Sequence, residues 1–229
     1  MIILDGKEIE TPGVLSVNYK EHGMVLPASN TPPRKEHINW CVLHWTASER
    51  VGEEGARKMF THHKNSGLSV EWMITNEGTI WQFFDPLVSR GKHASRVNPF
   101  SVGVEVSGVG HKKKGRELSA RSAQREAYVD TVQGWTTTWL DYLEPQHTSI
   151  AVLADVLIEQ CILKPYVMLA PFERRLTKDF KVRNGFCGHL HAASFKVKHP
   201  KCDPGTRPLL RLNEHFVQKY PNYPREDKP

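Results

Sequence analysis

Trp40-Cys41-Val42-Leu43-His44-Trp45-Thr46 is the stretch on which the fold turns. From Ile38 to His44 the chain is short, apolar and preceded by the proline-rich Pro32-Pro33 loop, so it reads as a buried strand with His44 at its end. Just downstream, Ala56, Met59, Phe60 and His63 recur at spacings of three and four, which predicts a helix over 51–64 with one apolar stripe and makes His62 and His63 helix residues. Leu68, Val70, Trp72 and Ile74 then alternate with Ser69, Glu71, Met73 and Thr75. After Glu77-Gly78 the chain returns through Thr79 to Phe83, a hairpin pattern.

Further out, Val102, Val104 and Val106 alternate with Ser101, Gly103 and Glu105, so Glu105 stands on a strand face among small neighbours, with room above it. Tyr128, Val132, Trp135 and Trp139 recur at helical spacing within 120–143, and Pro145 ends that run. Ile150, Leu153, Ala154, Leu157, Ile158 and Cys161 form the stripe of a second helix. A last one starts near Pro208 and buries Leu209, Leu212 and Phe216. Strands mixed with long amphipathic helices predict an α/β fold, a central mixed β-sheet flanked by helices. The expected organisation is an N-terminal hairpin and arm over 1–37, a main domain over 38–219 with a helical insertion at about 107–145, and a tail over 220–229.

Composition narrows the partners. A chain of 229 residues can bury one sizeable core, and no stretch approaches the roughly 20 apolar residues of a membrane span. The N-terminus carries no basic leader or small-residue cleavage site, which predicts cytoplasmic synthesis without a signal peptide. Cys41, Cys161, Cys187 and Cys202 lack CxxC spacing and are expected as reduced thiols. A net charge of +6 implies attraction to a polyanion. The basic run His111-Lys112-Lys113-Lys114 has no interleaved aromatics, so no nucleic-acid platform is expected.

Chemistry concentrates near the C-terminus. Gly188-His189 and Lys201-Cys202-Asp203-Pro204-Gly205 bring a histidine, a lysine and an aspartate together around a proline-glycine turn, and His44 is a further candidate ligand. Two imidazoles and one carboxylate are the donor set of a catalytic zinc that keeps one position open, which makes a hydrolase the leading expectation.

These pieces, together with Ile74-Thr75-Asn76-Glu77-Gly78-Thr79-Ile80, Lys92-His93-Ala94 and Asn98-Pro99-Phe100-Ser101-Val102-Gly103-Val104-Glu105-Val106, resemble in order the zinc-dependent N-acetylmuramoyl-L-alanine amidases related to phage lysozyme-type amidases and peptidoglycan recognition proteins. The resemblance covers residues 38–205. It implies a peptidoglycan-recognition-protein-like fold and a Zn2+ ion held by His44, His189 and Asp203. It further implies Glu105 as the proton-transferring carboxylate, Lys201 as oxyanion stabiliser, and His93 on the substrate side as a hydrogen-bond donor. His191 is a rival to His189 if the chain is extended there, and Cys202 is a rival to Asp203 because thiolate is a good zinc ligand. An ordinary solvated lysine is the alternative for Lys201, and an exposed histidine the alternative for His93.

The chain departs from the family at Val70-Glu71-Trp72. The tyrosine that assists catalysis in some phage enzymes is missing, which shifts the burden onto Glu105. Glu71 is then either a second carboxylate near the metal or a strand residue facing water. The implied substrate is the muramyl peptide of peptidoglycan, cleaved by a monomer, in a phage or prophage endolysin acting on the bacterial cell wall. A muropeptide-recycling amidase and a non-catalytic peptidoglycan-binding protein are the alternatives.

Overall fold

The computed structural model describes residues 1–110, 122–132, 135–169, 183–192 and 203–223. Its frame is a six-stranded mixed sheet built from β3 (Ser16–Val17), β4 (Trp40–Trp45), β5 (Trp72–Ile74), β6 (Ile80–Gln82), β7 (Ser101–Val106) and β10 (Gly185–Gly188), in the order β10-β4-β7-β5-β6-β3. β10, β4, β7 and β5 run parallel, while β5 and β6 form the expected antiparallel hairpin. The N-terminal hairpin is also present, as β1 (Ile2–Leu4) paired with β2 (Lys7–Ile9). Residues just after it supply β3, which pairs parallel to β6, so the N-terminal segment is part of the main sheet.

Period-two alternation sorts the two faces of the sheet. Cys41, Leu43, Val102, Val104, Val106 and Phe186 point into a core shared with α3 (Glu144–Glu159) and α5 (Arg207–Lys219) through Leu153, Leu157, Leu209, Leu212 and Phe216. On the opposite face, Trp40, Val42 and Cys187 pack with Ala94, Val97 and Ala192. Beside them α2 (Gly52–Ser66), which follows the single-turn helix α1 (Tyr19–His22) in chain order, buries Ala56 and Met59 against Val70, Met73 and Phe83. Burial of this kind contributes about 1.5–3 kcal/mol for each fully enclosed large aliphatic or aromatic side chain, which holds the helices to the sheet. Among the described residues no helix is long and apolar enough to cross a membrane. Cys41, Cys161 and Cys187 are free thiols.

The helix expected over 120–143 is instead a hairpin of β8 (Ala127–Val132) and β9 (Trp135–Leu140). In its register Tyr128 faces Trp139 and Val132 faces Trp135, so the 4-3-4 spacing of a helix stripe is also the spacing of cross-strand partners around a short connection. The β-branched residues Val129, Thr131, Val132, Thr136, Thr137 and Thr138 decide between the two. Exposure along β8 alternates accordingly. Pro145 does not end a helix either. It lies in the first turn of α3, where its missing N–H costs nothing.

Arg125 ties this hairpin to the sheet. Its side chain is buried and donates to the carbonyls of Asp141 (3.1 Å) and Ser107 (3.0 Å), to Gln146 Oε1 (3.0 Å) and to Asn76 Oδ1 (3.0 Å), and it approaches Glu49 at 3.4 Å. Arg125→Ala would strand several buried acceptors, so equilibrium unfolding in urea is expected to show a loss of about 2–4 kcal/mol. A midpoint unchanged from the parent would show that these bonds carry no net stability.

Candidate metal centre

Three parallel strands deliver the site. His44 sits near the C-terminal end of β4, Glu105 near that of β7, and His189 opens the short helix α4 (His189–Ala192) directly after β10. Crevices beyond the carboxyl ends of parallel strands are the usual place for ligands in open α/β sheets, because the chain leaves each strand there and the sheet edge is uncovered. His44 and Glu105 are direct register partners, so their side chains leave the sheet side by side on the same face. Asp203 arrives from the loop before α5. Its backbone carbonyl accepts from Leu190 N at 3.0 Å, which fixes it beside α4.

His44 Nδ1 lies 3.0 Å from His189 Nδ1 and 3.4 Å from Asp203 Oδ2, and His189 Nδ1 lies 3.1 Å from the same oxygen. Among the described residues these three form the one group with ligand atoms close enough to hold a metal ion. A four-coordinate ion with bonds of about 2.0–2.1 Å requires its donors to be about 3.3–3.4 Å apart, so the triangle has close to the size of one face of a tetrahedron. The donor set fits as well. Two ring nitrogens pointing at each other and at one carboxylate oxygen call for a cation in their midst. Burial acts to raise the Asp203 carboxyl, but His189 and His44 outweigh it and hold the group well below the ordinary carboxylate range.

A cleft of about 730 Å3 includes this cluster in its lining, together with Trp45, Thr46, Arg50, Ser69, Lys92 and Glu105. His93 reaches the cleft, yet both ring nitrogens face protein: Nδ1 is 2.9 Å from His44 Nε2, and Nε2 is 3.3 Å from Ser101 Oγ. The substrate-side donor expected from the resemblance therefore has no uncommitted ring nitrogen here. Burial holds the His93 imidazole well below its ordinary range.

Glu71 is neither a carboxylate at the cluster nor a residue facing water. It is fully buried, pairs with Arg34 at 3.1 Å and accepts from the amides of Gly91 (2.8 Å) and Gly103 (2.7 Å). Burial pushes its carboxyl up to about 6, against the opposing pull of Arg34 and the two amides. His191 is not a ligand candidate in this geometry. Residues 189–192 are helical, so it does not share a side with His189, and its Nδ1 accepts from Gly188 N at 3.2 Å. Lys201 and Cys202 lie outside the described residues.

The hairpin β8–β9 backs the turn that carries Asp203. A Cβ on Gly205, whose φ is +87°, would lie 2.7 Å from Tyr128 Oη and 3.3 Å from Trp139, and Thr206 Oγ1 bonds the Asp130 carboxylate. Trp139 also packs against Trp45, the two rings tilted with centroids 5.6 Å apart, and Tyr142 Oη donates to the His44 carbonyl at 3.0 Å. None of these supports is flagged by spacing, because each pairs residues brought together only by the tertiary fold. Ser101 was the most legible of the site's neighbours, since alternation puts it on the face of Gly103 and Glu105.

His63, on the buried stripe of α2, also lines the cleft and meets Phe83 edge-on at 5.7 Å. Burial pushes its imidazole down to about 3, so the folded protein holds it neutral while the unfolded chain takes up a proton below about 6.5. Its contribution is therefore complete above pH 6.5 and lost as pH falls toward 3, a destabilisation of about 2 kcal/mol at pH 5. Urea midpoints between pH 7 and 5 should fall accordingly and fall less in His63→Phe; parallel pH profiles would refute this.

The fold and this cluster define an α/β protein with a metal-competent site at the open ends of parallel strands. The chain belongs to the N-acetylmuramoyl-L-alanine amidase family, whose model matches residues 34–206, and it is an enzyme of that class. A search of curated proteins by sequence finds no match. Solved structures with the same fold include the hydrolase AmiA of Staphylococcus aureus in complex with its ligand, at 14% identity over 92% of this chain and 86% of that one, TM-score 0.54. The endolysin N-acetylmuramoyl-L-alanine amidase LysCS of Clostridium intestinale is similar at 16% identity over 90% and 95%, TM-score 0.50. The ectodomain complex of peptidoglycan recognition proteins LCa and LCx with tracheal cytotoxin is similar at 15% identity over 93% and 100%, TM-score 0.50.

Proposed function

We propose that this amidase is zinc-dependent, that it hydrolyses the bond between the lactyl group of N-acetylmuramic acid and L-alanine in peptidoglycan, and that it serves as a phage or prophage endolysin. The observation that carries the reading is the triangle of His44 Nδ1, His189 Nδ1 and Asp203 Oδ2, placed inside the family-matched region with Glu105 beside it. These three atoms would hold the ion. A zinc bound there would supply a Lewis acid for the scissile carbonyl and acidify a water toward neutral pH.

The rest falls to the chain's own groups. Glu105 takes the proton of the attacking water on its carboxylate and delivers it to the departing nitrogen of L-alanine, a transfer worth about 10²–10⁴ in rate. Lys201 is assigned to the oxyanion that forms on the carbonyl oxygen. The cleft walls keep the peptide beside these groups. A net charge of +6 favours an anionic wall polymer over small soluble fragments, which supports the endolysin setting.

Purified protein is expected to hold about one zinc per chain, as a site with three protein ligands and one open position would. Incubated with purified sacculi, it should release N-terminal alanine without new reducing sugar ends, and a chelator should stop the release until zinc is restored. Digestion of soluble anhydro-muropeptides in preference to sacculi would replace the endolysin setting with a recycling role. New reducing ends, or no alanine at all, would overturn the assigned bond.

A further inference from the structure

We propose that His93 is a positioning residue for the metal centre: it holds the His44 ring so that Nδ1 faces His189 and Asp203, and it is itself held by Ser101 and by a buried shelf made from Gly103, Glu71 and Arg34. This rests on the reading above that His44 is a zinc ligand through Nδ1.

The argument begins with proton bookkeeping. An imidazole nitrogen that binds a cation must present its lone pair, so the proton of neutral His44 is on Nε2. That nitrogen lies 2.9 Å from His93 Nδ1, which must then accept, leaving the proton of neutral His93 on its own Nε2. His93 Nε2 lies 3.3 Å from Ser101 Oγ, and Ser101 Oγ donates onward to the Val97 carbonyl at 2.8 Å. Each donor in this chain meets one acceptor, and only one assignment of tautomers satisfies all the links. A metal-bound histidine whose second nitrogen is held in this way has its ring plane and tautomer set in advance.

The shelf fixes the other side of His93. A Cβ on Gly103 would lie 2.7 Å from His93 Cγ, so the ring rests directly on the β7 backbone, where no side chain fits. The Gly103 amide beneath it donates to Glu71, whose carboxylate also accepts from Gly91 and Arg34; Arg34 in turn donates to the Ser101 carbonyl at 3.0 Å. Gly91 is constrained likewise, since a Cβ there would lie 2.9 Å from Glu71 Oε2 and 3.1 Å from His93 Cδ2. The buried carboxylate that replaces the family pattern at Val70-Glu71-Trp72 thus supports the ligand from two layers away.

The test compares zinc dissociation constants, by competition with a chromophoric chelator, for the parent, His93→Phe, His93→Asn and Ser101→Ala, with melting temperatures of the metal-free proteins measured alongside. His93→Phe fills the space but cannot accept from His44, and its zinc affinity is expected to fall about 10–100-fold, the usual cost of losing such a partner. His93→Asn carries an oxygen near the Nδ1 position and should recover most of that loss. Ser101→Ala should weaken binding by about 3–10-fold, being one link further out. Affinity in His93→Phe within about twofold of the parent, or His93→Asn as weak as His93→Phe, would overturn the proposal. If His93→Phe does not fold, Ser101→Ala decides: unchanged zinc affinity there overturns it too. A parent protein that binds no zinc would instead refute the function on which the proposal rests.

Discussion

Glu105→Gln is expected to lower turnover on sacculi by about 10²–10⁴-fold while leaving about one zinc per chain and an unchanged melting temperature. Gln has the shape of Glu and can still hydrogen-bond, but it cannot take a proton from water or return one to a leaving amine. The structure explains why this should separate from metal binding. Glu105 is the register partner of His44 on the neighbouring strand, yet it is not one of the three residues whose ligand atoms converge. Ser101 and Gly103 precede it on the same face, and it lines the cleft. Substrate binding should therefore change little, so the effect falls on kcat rather than KM. Parental turnover in the variant would remove Glu105 from the mechanism and require another base on the cleft wall.

How far the sequence could be read depended on whether one local period had one structural meaning. β7 is legible to the residue because Ser101 to Val106 alternates strictly and can only be a strand with one face of small residues ending at Glu105. α2 and α5 are legible because their stripes are single and long. Tyr128, Val132, Trp135 and Trp139 were not, since spacing alone does not distinguish a helix stripe from partners across a hairpin. Here β-branched content was the better guide. The same limit appears at the site. His44, His189 and Asp203 could be named because each sits in a short motif, as do His93 and Ser101 beside them, but several residues packed behind these belong to no motif. Arg34 comes from a proline-rich arm, Glu71 from the bend just before β5, and Tyr128 and Trp139 from the hairpin. Alternation left Glu71 to either face and to either role. Its partners decided the matter, and they lie 20, 32 and 37 residues away along the chain.

Asp203 offers the sharpest separation of ligand from scaffold. Asp203→Ala should weaken zinc by more than about 100-fold, beyond the range for an outer partner, and reduce alanine release to background. The loop should stay in place, because its position depends on groups other than the carboxylate. The Asp203 carbonyl accepts from Leu190 N, a Cβ on Gly188 would lie 2.6 Å from Pro204 Cδ, and Tyr128 and Trp139 pack beside Gly205. Asp203→Cys tests the same point from the other side. A thiolate binds zinc at about 2.3 Å, only slightly farther than a carboxylate oxygen, so this variant should keep about one zinc per chain where Asp203→Ala does not. Cys202→Ser should match the parent in both zinc content and activity. If Cys202→Ser loses the metal and Asp203→Ala keeps it, the third ligand is the thiol one residue earlier, and Asp203 serves only to steady the turn. The two imidazoles would keep their roles, but the open position of the site, and with it the approach of Glu105 to the water, would have to be redrawn around sulfur.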